Sequence, residues 1–141
     1  MVDTNVLIEK LIEYFGLQDN VVFAYLFGSY AEGKMRAGSD IDVAVYIINE
    51  KEDENFKFKL KYKDELENIF KIPVDLILMN SAPPLLNHEI FKNGIILKND
   101  NPSILSQFRV KNFYFYLDQM YIINRYLEST KEKIRNVMKN G

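Results

Sequence analysis

Three aspartates carry the chemical possibilities of this chain. Asp40 and Asp42 flank Ile41 at the entrance of a β-branched apolar run, and Asp75 interrupts a second apolar run, Val74-Asp75-Leu76-Ile77-Leu78. Side chains alternate along a strand, so Asp40 and Asp42 point one way while Ile41, Val43 and Val45 point the other. Two carboxylates at that separation repel unless a cation lies between them, and an all-oxygen ligand set suits Mg²⁺ or Mn²⁺. If the strand carrying Asp75 neighbours the one carrying Asp42, the three acids share a face and can hold two metal ions. One ion would activate an attacking oxygen, and the other would neutralise a triphosphate and its departing pyrophosphate. Asp75 is then the candidate general base or the ligand of the nucleophile-side ion.

A phosphate grip precedes these acids. Val21 to Phe27 is a nearly continuous apolar run, the pattern of a buried strand, and Gly28-Ser29 follows it directly. A glycine there lets the backbone approach a phosphate closely. Ser29 would open a short helix through Tyr30-Ala31-Glu32, offering free N–H groups and a hydroxyl to an anion. Gly33 and Gly38 permit the turn back into the acidic strand. Separately these features are commonplace, since Gly-Ser after a strand is usually a turn and Asp-x-Asp at a strand entrance is usually solvated. Their occurrence together, in this order, is what points to a site.

The elements that must position the site are legible from periodicity. Val6, Leu7, Leu11, Ile12 and Phe15 recur at helical spacing, with Gly16 as a C-cap. Strands are expected over Val21 to Phe27, Ile41 to Ile48, Val74 to Met79 and Ile95 to Lys98. A charged surface helix is expected over Lys51 to Lys71, and a short helix after Pro83-Pro84 over Leu85 to Phe91, stopped by Asn93-Gly94. A long helix runs from about Asp100–Ser103 to Met138. This order predicts an α/β (α+β) fold, a small mixed sheet flanked by helices and followed by a long C-terminal helix. The division expected is a catalytic core over residues 1–99 and a helical extension over 100–141.

Composition narrows the function classes. The 141 residues are 48% hydrophobic and 27% charged, which predicts an ordered core. The net charge of −2 disfavours a domain that grips long nucleic acid electrostatically. The absence of cysteine excludes disulfides, thiolate chemistry and Cys-based zinc sites. Met1 to Leu17 lacks the pattern of a signal peptide, and no run approaches the roughly 18 apolar residues of a membrane span. A soluble, cytoplasmic protein without membrane contact is the expectation.

Gly28-Ser29, ten intervening residues, Asp40-Ile41-Asp42 and a later Asp75 resemble the signature of the DNA-polymerase-β nucleotidyltransferase superfamily. Within it, Ser81-Ala82-Pro83-Pro84-Leu85-Leu86-Asn87-His88-Glu89-Ile90 followed by Asn93-Gly94-Ile95-Ile96-Leu97 is similar to the minimal nucleotidyltransferases, the MNT-type antitoxins of HEPN/MNT toxin–antitoxin systems. The resemblance implies the polymerase-β-like fold, two Mg²⁺ (or Mn²⁺) ions, ATP as substrate, and transfer of AMP to a tyrosine of a HEPN ribonuclease toxin. It implies Asp40, Asp42 and Asp75 as catalytic and metal-holding residues, and Gly28, Ser29 and Ser39 as nucleotide contacts. Two other readings stay open: a nucleotidyltransferase of small molecules such as antibiotics, and an antitoxin that neutralises by binding alone.

The C-terminal helix carries two apolar stripes. Val110, Phe113, Leu117, Met120, Asn124 and Leu127 follow three-four spacing, and Phe108, Phe115, Ile122 and Tyr126 form a second row. The expectation is that both pack on the domain, with a homodimer or toxin interface as the other possibility. His88, the single histidine, is read as a solvated residue, and Lys34, Arg36 and the Lys57–Lys63 run as exposed charge.

Overall fold

The computed structural model describes residues 3–140. Asp3 starts the first helix: its carboxylate accepts the N–H groups of Asn5 (2.9 Å) and Val6 (3.3 Å), donors with no partner inside the helix. Helix α1 (Thr4–Gly16) buries Leu7, Leu11 and Phe15 at helical spacing. Strand β1 (Val21–Phe27), short helix α2 (Gly28–Glu32) and strand β2 (Ile41–Ile47) follow. A 3₁₀ turn (Glu52–Glu54) leads into α3 (Asn55–Phe70), then come β3 (Val74–Leu78), α4 (Pro84–Asn93), β4 (Ile95–Asn99) and α5 (Pro102–Asn140).

The strands form one sheet in the order β3-β2-β1-β4. β1 pairs antiparallel with β2 and β4, whereas β2 and β3 are parallel and are joined by α3. Parallel neighbours need a crossover connection, and the amphipathic α3 supplies it. A register shift between Val21 and Phe23, opposite Ile47 and Tyr46, lets Val21 face one layer and Phe23 the other.

Helices cover both faces. On one, α1 and α3 set Leu7, Leu11, Phe15, Tyr62 and Leu66 against Leu26, Val43, Val45 and Leu76. On the other, α4 and the start of α5 place Ile90, Leu105 and Phe108 over Phe23, Tyr25 and Ala44. Phe23 stacks on Tyr46 with centroids 4.8 Å apart, and Phe108 leans on Tyr46 at the same distance. Each fully buried side chain of these layers, such as Phe23 or Leu26, contributes roughly 1.5–3 kcal/mol of apolar burial, so the two layers fix the sheet that the acids stand on.

The expected elements all form, with shifted ends. Gly16 is the last residue of α1 and Leu17 its cap. The helix expected from Lys51 begins at Asn55, because the chain first makes the 3₁₀ turn. Pro84 itself starts α4, where a missing N–H costs nothing. The expectation that both apolar stripes of α5 pack on the domain does not hold. Leu105, Phe108 and Asn112 reach the core or α4, but from Tyr121 to Asn140 no residue is buried. The body of the chain ends near Gln119, whose side chain accepts the N–H of Leu85. The last twenty residues therefore project about 30 Å, at 1.5 Å per residue. His88 is not free in solvent: its ring stacks on Tyr116 at 3.8 Å. Among the described residues no helix is long and apolar enough to cross a membrane.

Candidate active site

The acids meet at one corner of the sheet. Asp42 is the second residue of β2 and pairs in parallel register with Asp75 on β3, so their side chains leave the same face from strands about 4.8 Å apart. That face is the one covered further along by α4 and α5, because Ala44 and Ile77 pair next to them in the sheet and belong to that layer. At Asp42 and Asp75 the cover has ended. Asp42 is half-buried, and Asp75 and Asp40 are exposed, Asp40 lying just before β2 begins. The expectation that Asp75 would neighbour Asp42 is met by the register alone.

The electrostatics of the corner are unfavourable to Asp42. Burial, then the neighbouring charges of Asp75 and of Asp40, push its carboxyl up to about 6. A cation beside it would reverse the sign of that field, and the donor set is entirely carboxylate oxygen, which suits a hard divalent ion. The three are neighbours rather than a closed cage, however. Among the described residues no three acidic or histidine side chains converge on one point as ligands do.

Gly28 is held to glycine by Asp42. Its φ is +71°, and a Cβ there would lie 2.1 Å from Asp42 Oδ2. The sequence suggested a glycine for close approach of a phosphate; the fold adds that the Asp42 carboxylate occupies the space a side chain would need. Phe27 pairs with Asp42 across β1 and β2, so the chain passes from strand to helix directly beside the acid. Ser29 lies in the first turn of α2, and its carbonyl accepts the N–H groups of Gly33 and Lys34. Gly33 and Gly38, at φ +71° and +88°, turn the chain back. Ser39 closes the last turn before β2: its hydroxyl accepts the N–H of Arg36 at 2.7 Å, and its own N–H donates to Arg36 O at 2.9 Å. Ser39 therefore holds the loop that presents Asp40, with its hydroxyl proton still available to donate.

One pair beside the acids was not legible as part of the site. Lys63 Nζ lies 2.8 Å from Glu67 Oε1, and Glu67 Oε2 accepts the outward N–H of Val74 at 3.0 Å. This pair fastens the exposed edge of β3 one residue before Asp75. The bond with Lys63, then the bond from Val74, hold the Glu67 carboxyl below its ordinary value, and the bond with Glu67 raises Lys63. The only signal in the sequence was the i,i+4 spacing of Lys63 and Glu67, which reads as an ordinary surface pair. Lys34 and Arg36 are exposed, as expected.

Comparison with known proteins identifies the family. Residues 9–103 match the family described as Polymerase beta, Nucleotidyltransferase. A candidate protein adenylyltransferase of Methanocaldococcus jannaschii is 46% identical over 56 residues, covering 40% of this chain and 62% of that relative. A second from the same organism is 32% identical over 79 residues, 56% of this chain and 82% of the other. Among solved structures, a toxin–antitoxin with AMP-PNP superposes with a TM-score of 0.70 at 26% identity, over 92% of this chain and 98% of that one. A chain from the complex of tri-AMPylated Shewanella oneidensis HEPN toxin with MNT antitoxin gives 0.68 at 23% identity, over 91% and 98%. The latter similarity is one of fold.

Proposed function

This chain belongs to the polymerase-β nucleotidyltransferase family, and from that premise we propose that it transfers AMP from ATP to a tyrosine hydroxyl of a HEPN-domain ribonuclease toxin, and so acts as the antitoxin. The observation that carries the reading is the in-register pair Asp42 and Asp75, set beside the Gly28-Ser29 turn at the open end of the sheet. The relatives named as protein adenylyltransferases support the reaction, and the neighbours containing HEPN toxin and MNT antitoxin support the partner.

Asp40, Asp42 and Asp75 are the residues that would hold two divalent ions, Mg²⁺ or Mn²⁺, which when bound neutralise the triphosphate and lower the pKa of the attacking hydroxyl. Gly28 and Ser29 present backbone N–H groups and a hydroxyl to the phosphates, and Ser39 steadies the loop and can add a donor. The acceptor oxygen attacks the α-phosphorus, the bond from that phosphorus to the bridging oxygen of the β-phosphate breaks, and pyrophosphate leaves. The tyrosine proton passes to Asp75, the more exposed of the paired acids. Residues 1–99 would form the catalytic core and residues 100–141 an extension serving partner contact.

The test is incubation of the chain with Mg²⁺, ATP and its HEPN partner, followed by intact-mass analysis of both proteins. The expected result is a gain of one AMP or a small multiple on the partner, absent with Asp42→Asn. A partner left unmodified in a stable complex would contradict the enzymatic reading and favour neutralisation by binding alone.

A further inference from the structure

We propose that α5 is itself the docking element for that partner, and that the partner clasps it on two sides in a groove rimmed by acidic side chains. The proposal rests on the partner assignment above and adds the surface and its chemistry.

Three observations carry it. First, the projecting part of α5 is apolar where nothing in the chain covers it. Tyr121, Ile122, Tyr126 and Leu127 are 50–71% exposed, and Ile134, Val137 and Met138 are 55–77% exposed. Helices that bury nothing are polar all round, so a helix carrying this much exposed apolar surface is built to be covered.

Second, the exposed groups lie on opposite sides. Leu117, Leu127, Ile134 and Met138 continue one seam at three-four spacing, while Phe115 and Ile122 stand on the far side of the helix. A two-stranded coil with a second copy would cover the seam and leave Phe115 and Ile122 in water. A groove between helices of another protein covers both.

Third, charge selects the partner. Residues 102–140 hold seven Lys or Arg against three Asp or Glu, a net +4, within a chain of net −2, so residues 1–101 carry −6. Two α5 helices side by side would set +4 against +4, whereas an acidic rim complements it. At the base of the helix, a cavity of about 600 Å³ between α4 and α5 continues the surface, lined by Phe91, Val110 and Phe113 and bordered by Lys92 and Arg109. It offers a seat for an apolar side chain with an acidic neighbour. Tyr121 and Tyr126 offer rings on which bases could stack, but the aliphatic Ile122, Leu127, Ile134 and Met138 gain nothing from a stacked base, so an apolar protein groove covers more of this surface than RNA would.

The experiment measures affinity for the purified HEPN partner by calorimetry, together with AMP-PNP binding, binding of a single-stranded RNA oligonucleotide, and the mass of the chain alone in solution. Leu127→Asp and Ile122→Asp, each on a different side and both outside the folded body, should each weaken the complex by about 100-fold or more. The double variant Lys131→Glu/Arg135→Glu should weaken it by about 10-fold and flatten its salt dependence. All should keep the wild-type melting temperature and AMP-PNP affinity. Wild-type partner affinity in both Asp variants would overturn the docking surface while leaving the functional reading intact. A chain that is dimeric alone, and made monomeric by Leu127→Asp but not by Ile122→Asp, would overturn it in favour of self-pairing. Loss of RNA binding with partner affinity unchanged would overturn it in favour of a nucleic-acid surface. A wild-type chain with no affinity for the partner would overturn both this proposal and the functional reading beneath it.

Discussion

The acidic corner of the sheet and the free length of α5 depart from stable globular design in opposite directions. At the corner, like charges are crowded: Asp42 lies half-buried beside Asp75, and its carboxyl is pushed up to about 6. Along α5, apolar groups that could be buried are left in water, from Tyr121 to Met138. The first region gives up stability for a charge that a cation can satisfy. The second gives up solubility for a surface that a protein can satisfy. Real chains break local folding rules chiefly where they function, and under the proposed function the two kinds of violation separate chemistry from recognition along the sequence.

That contrast can be broken by substitution. The largest effect on stability belongs to neither region but to the layer that supports the corner: Leu66→Ala, fully buried between α3 and the sheet, should cost about 3 kcal/mol in urea unfolding. Gly28→Ala should cost roughly 2 kcal/mol, combining a left-handed backbone with displacement of Asp42. It should also lose transfer activity beyond what its stability explains. A Gly28→Ala protein with wild-type stability would show that the turn has more room than its geometry indicates.

Asp42→Asn should act with the opposite sign on folding. A carboxyl whose folded value is raised contributes stability only while protonated. That contribution is complete below its unfolded value near 4 and is lost as pH rises through about 6. Measured in chelator, the variant should therefore exceed wild type by roughly 1 kcal/mol at pH 7.5, after discounting the shift for solvent screening, and the gap should close toward pH 4. An equal gap at both pH values would remove the electrostatic account of the corner. The smallest effect is expected on α5: Leu127→Ala should change the stability of the isolated chain by less than about 0.5 kcal/mol. A larger loss would mean that the helix folds back on the body in solution.

Much of this was legible in the residues. Strict alternation around Asp40-Ile41-Asp42 predicts both acids on one strand face. The strand begins only at Ile41, and Asp40 stands just before it, close enough for its charge to act on Asp42. A lone carboxylate inside Val74–Leu78 marked the third candidate. The parallel register that sets Asp75 beside Asp42 was a condition the sequence could state but not meet, since strand order is decided by how α3 crosses the sheet. The collision that forbids a side chain at Gly28 was invisible for the same reason: it joins the start of α2 to a residue of β2. So was the Lys63–Glu67 clamp on Val74, because spacing on α3 does not say which strand edge lies beneath it. For α5, periodicity identified apolar stripes but not what covers them. The expectation of packing on the domain failed because α5, at 39 residues, outruns the body it lies on, its contacts ending near Gln119.

The most direct test of the separation is to measure Asp42→Asn for partner affinity and for AMP transfer in the same solution. Affinity within about twofold of wild type, with transfer reduced by about 1,000-fold or more, is the expected result for a residue that serves the reacting charges alone. Transfer at the wild-type rate, or loss of partner binding together with transfer, would contradict it.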